Sequence, residues 1–94
     1  MFVVLLTYQK DLAEVDRLMR EHMRFLKAQY DAGVFVVSGR RVPRTGGVIL
    51  ARGVDKAELE AIMAADPFVR EGAARFEVVE FNASQMQAGF EPYT

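Results

Sequence analysis

The chain has no cysteine, no tryptophan, a single histidine and three prolines in 94 residues. Without cysteine there is no disulfide framework, no thiolate nucleophile and no sulfur-ligated metal. That composition is compatible with a reducing cytoplasm. An excess of charge of either sign is also missing. Twelve Lys and Arg against thirteen Asp and Glu leave a formal net charge of −1, which lacks the basic field of a nucleic-acid binder. No apolar run is long enough to span a membrane. The apolar start, Met1 to Tyr8, is too short, and it lacks the basic n-region and cleavage site of a signal peptide. There is no Gly-rich nucleotide loop, no histidine pair or carboxylate cluster at metal-ligand spacing, and no serine nucleophile motif. The expectation is a cytoplasmic domain with no metal, no cofactor, no nucleic acid and no membrane among its partners.

What is present is apolar sequence with clear punctuation. About half of the chain is hydrophobic (51%), enough for one modest core. Residues 2–8 form an apolar, β-branched run, as expected of a strand covered on both faces. Asp11 and Glu14 have the spacing of a capping box, and Leu12, Val15, Met19, Met23, Leu26 and Tyr30 recur in helical steps up to Gly33. This predicts a helix over 11–32. Strands are predicted over 34–39, 47–52 and 75–81, with a bulge at Val78-Val79 where the alternation shifts phase. A second helix starts at Asp55 and ends near Ala65, because Pro67 disfavours helical geometry at Asp66. A loop or turn then runs through Gly72.

The order β-α-β-β-α-β is that of a ferredoxin-like α+β domain, with a four-stranded antiparallel sheet over residues 1–81. Residues 82–94 read as a tail. Two helices cover only one face of such a sheet, yet the first two strands are apolar at consecutive positions. A second copy packed on the free face would bury them, so a homodimer is expected, with the tail packing on the partner. RNA-binding domains share this element order. Here Val48-Ile49-Leu50-Ala51 lacks the stacking aromatics such domains place on their third strand.

Two polar residues stand where apolar ones belong. His22 lies in the middle of the apolar stripe of helix 1, at the step 15, 19, 22, 26. A buried imidazole needs a partner, which a backbone carbonyl could supply. Asp66 continues the stripe of Leu59, Ile62 and Met63, at a helix C-terminus where the macrodipole opposes a carboxylate. It could equally begin an Asx turn before Pro67. Both faces pack on the same sheet, so a His22–Asp66 pair would explain both burials and leave one ring nitrogen free as a general base. Ser38 and Gly39 end strand 2, where they could line a pocket or simply turn the chain. Arg40, Arg41 and Arg44 form a cationic cluster beside them, either solvated or able to grip a carboxylate or phosphate. Tyr8 is a further hydroxyl at a strand end.

Three stretches together resemble the YCII-related family: Arg20-Glu21-His22-Met23-Arg24-Phe25-Leu26, Gly33 to Gly39, and Asp66-Pro67-Phe68. The likeness runs from about residue 1 to 81 and implies the fold of the dimeric α+β barrels. It also implies a His22–Asp66 dyad at an active site, with Ser38 as a pocket residue. Arg40 departs from the proline that often follows the strand-2 glycine in that family. One branch of the family is associated with dehydrochlorination of chlorinated hydroxyquinols. The function expected is acid–base chemistry (proton transfer, elimination or isomerisation) on a small, anionic organic molecule. The alternative is a non-catalytic small-molecule-binding or sensory domain using the same pocket, of residues His22, Asp66, Ser38, Gly39 and Arg40.

Overall fold

In the computed structural model, which describes residues 1–94, the apolar start forms β1, Phe2–Tyr8. Its side chains alternate. Phe2, Val4 and Leu6 are buried, whereas Val3 and Leu5 are only half-covered. The helix α1, Leu12–Asp31, begins at Asp11, whose carboxylate accepts from the Glu14 N–H at 3.0 Å. It stops at Gly33, which takes φ +75°, a conformation that only glycine adopts cheaply. The Val34 N–H then reaches back to the Gln29 carbonyl and the Gly33 N–H to that of Tyr30, both at 3.0 Å, satisfying two orphan carbonyls.

β2 (Phe35–Arg40), β3 (Gly46–Ala51), α2 (Lys56–Ala64), α3 (Pro67–Arg70) and β4 (Ala74–Glu80) complete the domain. The strands are ordered β2-β3-β1-β4 and every neighbouring pair is antiparallel. This is the ferredoxin-like α+β arrangement. Asp55 caps α2 with a reciprocal capping box involving Glu58. The core lies between the sheet and the helices. Phe2, Val4, Leu6, Ile49 and Ala51 from the sheet meet Val15, Leu18 and Leu26 of α1 and Leu59 and Met63 of α2. On the opposite face nothing covers the sheet, and there Val37 is 51% and Val79 43% exposed. No helix is long and apolar enough to cross a membrane.

Four details differ from the expectations. First, β4 carries no bulge. Its register with β1 runs unbroken from Phe2↔Glu80 to Tyr8↔Ala74, and the irregularity falls in β2 between Phe35 and Val37. Val79 is apolar because it faces the open side of the sheet, not because the strand slips. Second, the buried stripe of α1 is Val15, Leu18, His22 and Leu26, while Leu12, Met23 and Tyr30 are exposed. Third, the segment after α2 is not a plain loop but contains the one-turn helix α3. Fourth, the terminal residues include a short 3-10 turn at Glu91–Tyr93, and the Arg52 guanidinium donates to the Thr94 carbonyl at 3.3 Å.

Candidate functional site

The site begins with the end of α2. Pro67 cannot continue that helix, so Ala65 closes it and Asp66 turns to an extended conformation (φ −57°, ψ 127°). Pro67 then takes the first position of α3, where its missing N–H costs nothing. Asp66 is therefore the N-cap of α3, and its Oδ1 accepts the Phe68 N–H at 3.0 Å. The opposition between carboxylate and macrodipole expected from sequence does not arise, because the helix that Asp66 touches most closely is one it begins.

The same Oδ1 lies 2.9 Å from His22 Nδ1. The Asx-type cap and the histidine pair, alternatives in the sequence, thus coexist on one oxygen. Asp66 is wholly buried and His22 is 7% exposed. An ionised carboxylate only accepts, so a neutral imidazole in this pair would carry its proton on Nδ1 and its lone pair on Nε2. Asp66 Oδ2 is buried with no partner, whereas Nε2 is not among the sealed, unpaired atoms. The Phe68 ring stacks on the imidazole at 3.9 Å between centroids and 10° between planes. A hydrogen bond at one edge and a parallel ring on one face leave the imidazole little freedom to rotate or flip.

His22 opens onto a cavity of ≈ 290 Å³ between α1 and the β1–β3 part of the sheet. Eight of its fourteen lining residues are hydrophobic, among them Leu6, Met19, Leu26, Ile49 and Phe68. The polar lining comes from His22, Ser38 and Arg40, with Gly39, Gly46 and Gly47 presenting bare backbone, and Tyr8, counted among the eight, also carries a hydroxyl. A small apolar space with a few convergent polar groups is the usual form of a small-molecule site. Asp66 itself does not line it, so the carboxylate acts on the cavity only through the histidine.

The remaining sequence candidates separate here. Ser38 lines the cavity, but its hydroxyl is hydrogen-bonded to the Tyr30 hydroxyl. Gly39 lines it with backbone alone. Arg40 lines it, and its side chain makes no hydrogen bond or ion pair elsewhere in the chain. Arg41 leans on the Thr7 hydroxyl at 3.4 Å. Arg44 is tied to Asp16 at 2.6 Å, and that hydrogen bond holds its guanidinium above the ordinary arginine range. Only one of the three clustered arginines therefore faces the cavity. The contributions of Phe68 and Met19 were not singled out from sequence. Phe68 directly follows the Asp-Pro pair, whereas nothing distinguishes Met19 from an ordinary core residue. No group of three or more His, Asp or Glu side chains is arranged to hold a metal ion.

No curated protein matches the chain. Among solved structures, the 5-chloro-2-hydroxyhydroquinone dehydrochlorinase of Burkholderia phenoliruptrix AC1100, in complex with 2,5-dihydroxybenzoquinone, is similar with a TM-score of 0.68. The match covers 87% of this chain and 94% of that one at 15% sequence identity, so the likeness is one of fold. The family model for the YCII-related domain matches residues 1–82, and the chain belongs to that family.

Proposed function

We propose that this chain is a small cytoplasmic enzyme that moves a proton on a small organic substrate held in the cavity. The observation that supports the reading is the buried His22–Asp66 hydrogen bond at 2.9 Å on a histidine that lines the cavity; a neutral ring that gives its Nδ1–H to the carboxylate would keep Nε2 free to act as a base. His22 is the general base and then the general acid, and Asp66 orients it and favours the imidazolium that forms. A positioned base of this kind contributes a rate factor of roughly 10²–10⁴. Arg40 holds a developing enolate or phenolate oxygen as an ion pair. Ser38 and Gly39 bound the same wall. Proton transfer of this type uses the chain's own side chains and covers both isomerisation and elimination of a leaving group next to the abstracted proton.

The cavity size suits one ring, and the ligand named for the similar-fold dehydrochlorinase is a planar quinone. Chlorinated hydroxyquinols are therefore the first compounds to test, followed by enolisable ring ketones. In D₂O, the substrate C–H should exchange in the presence of the protein, followed by NMR, and His22→Gln should slow that exchange by at least about a hundredfold. Undiminished exchange or turnover in His22→Gln would reject the proposal. Saturable binding with no exchange and no turnover would favour a ligand-binding domain.

We further infer a homodimer through the uncovered sheet face, with residues 82–94 lying against the partner. The half-exposed Val3, Leu5, Val37 and Val79 on that face supply the apolar surface. Sedimentation at micromolar concentration should give twice the chain mass, and Leu5→Lys should halve it. A wild-type monomer would refute this inference.

A further inference from the structure

One helix-facing position in the middle of the sheet carries no side chain. Phe2, Val4 and Leu6 of β1 point towards the helices, and their partners on β3 are Ala51, Ile49 and Gly47. Ile49 and Ala51 are buried in the core, whereas Gly47 ends at the backbone and lines the cavity. On its other side Gly47 pairs with Arg40 of β2. Across the cavity stand Met19, His22 and Leu26 of α1. The hollow thus opens where the sheet lacks one side chain, with Leu6 at one edge and Arg40 at the other.

The chain's own geometry does not demand this glycine. Gly33, Gly53, Gly72 and Gly89 have positive φ, and Gly47 does not. At Gly46 a Cβ would overlap the Leu6 carbonyl, so packing alone requires glycine there. At Gly47 a Cβ would stand 3.3 Å from the Gly39 carbonyl oxygen and 3.8 Å from Leu6 Cδ1, a tight contact without overlap. A glycine inside a strand destabilises it relative to alanine. Such interior glycines mark a bulge, a bend or a close approach to the backbone, and the pairing of β3 is regular at Gly47.

We propose that Gly47 determines what the cavity admits: a planar ring lies flat against the β3 backbone there, with an anionic group at its Arg40 edge. The ligand class is accordingly a flat, single-ring anion. This deepens the proton-transfer reading and rests on the cavity being the ligand site. A flat ring holds all its atoms at about 3.5–4.0 Å from a peptide plane, where dispersion is strongest, and a puckered ring cannot. The Arg40 guanidinium, which has no partner within the chain, takes the anion. The opposite edge of the ring meets Leu6, and its upper face meets the α1 side chains beside His22.

Benzoate is the probe, because it is flat and anionic and has no acidic C–H, so its binding does not depend on proton transfer. Titrated into the full-length protein and followed by NMR, it should bind saturably, with NOEs from its ring protons to the Gly47 Hα protons and the Leu6 methyls. Cyclohexanecarboxylate, equally charged but puckered, and benzamide, flat but neutral, should each bind at least about fivefold more weakly. Gly47→Ala should raise the dissociation constant for benzoate about tenfold or more. Val79→Ala, on the uncovered face of the sheet, should change it less than about twofold. If the amide spectrum shows Gly47→Ala to be unfolded, the wild-type NOEs decide. The proposal is overturned if the ring gives no NOE to Gly47, if folded Gly47→Ala binds benzoate as the wild type does, or if either comparison ligand matches benzoate. Each of those results leaves His22-dependent proton exchange standing. Loss of that exchange in turn leaves the role of Gly47 standing.

Discussion

Replacing Asp66 with Asn tests the centre of the structure with the smallest change of shape. The two bonds to Oδ1, from His22 Nδ1 at 2.9 Å and from the Phe68 N–H at 3.0 Å, force the amide to place its oxygen there. Its NH₂ group then occupies the place of Oδ2, which is buried without any partner. Two hydrogen bonds lose their charge assistance, at roughly 0.5–1 kcal/mol each, and a buried donor pair goes unsatisfied at about 1–3 kcal/mol. Relief of the buried charge offsets part of this. The expected net loss is therefore about 1–3 kcal/mol, which for a domain of this size lowers Tm by roughly 4–8 °C per kcal/mol.

His22→Leu leaves the carboxylate buried with only the Phe68 N–H, and a broken buried pair of this sort costs about 3–5 kcal/mol. The double variant should lose less than the sum of the two, by about 1–2 kcal/mol, because each single change strands the other partner. Urea unfolding of all four proteins at one protein concentration measures this, since self-association would add a concentration term. Additivity within about 0.3 kcal/mol would refute the claim that the two residues act as one unit.

Three other outcomes follow from the same geometry. At Gly46, which lines the cavity, a Cβ would overlap the Leu6 carbonyl, whereas at Gly39 it would meet nothing within 4 Å. Gly46→Ala should thus destabilise by several kcal/mol, on the order of a core overpacking defect, and Gly39→Ala by well under about 1 kcal/mol; similar urea midpoints for the two would contradict this. Phe68→Leu should cost on the order of 1–3 kcal/mol and leave the His22 tautomer unchanged, since the Asp66 contact and not the stacked ring sets it; because His22 is the only histidine, its ¹⁵N shifts report this without assignment, and a changed tautomer signature in the variant would contradict it. The hydrogen bond from Arg17 holds the Glu14 carboxyl below its ordinary range. A depressed carboxylate stabilises the fold above its unfolded value and loses that contribution as pH falls, so the gap between wild type and Arg17→Ala should be present near about pH 7 and close by about pH 3. A gap that widens in acid would reverse the sign.

Much of this was legible in the sequence because local rules and tertiary packing agree. Asp11, Glu14 and Gly33 bracket α1 as their capping chemistry requires, and the element order dictates the sheet. What the sequence obscured has equally specific causes. Val34-Phe35-Val36-Val37 is apolar at every position, so no alternation marks the irregularity that β2 contains. Val78-Val79 looks like a slip only if every valine is assumed to point inward. Four residues are too few for α3 to show a period. Arg40, Arg41 and Arg44 are indistinguishable in sequence, and what separates them is an Asp16 that lies 28 residues away.

His22 and Asp66 belong to a different class. Each breaks the pattern of its own element, and each break is costly if it stands alone, since a buried unpaired imidazole or carboxylate loses its hydration with nothing in return. They are 44 positions apart in the chain, and the fold brings them within 2.9 Å. A single violation of an apolar stripe usually reports only a satisfied core residue. Two violations that cancel one another, beside a cavity that one of them faces, require the sheet, α1 and the α2–α3 turn to be placed together. If stability alone were at stake, two apolar residues of matching shape would serve as well or better. Folding stability alone therefore does not explain the polar pair.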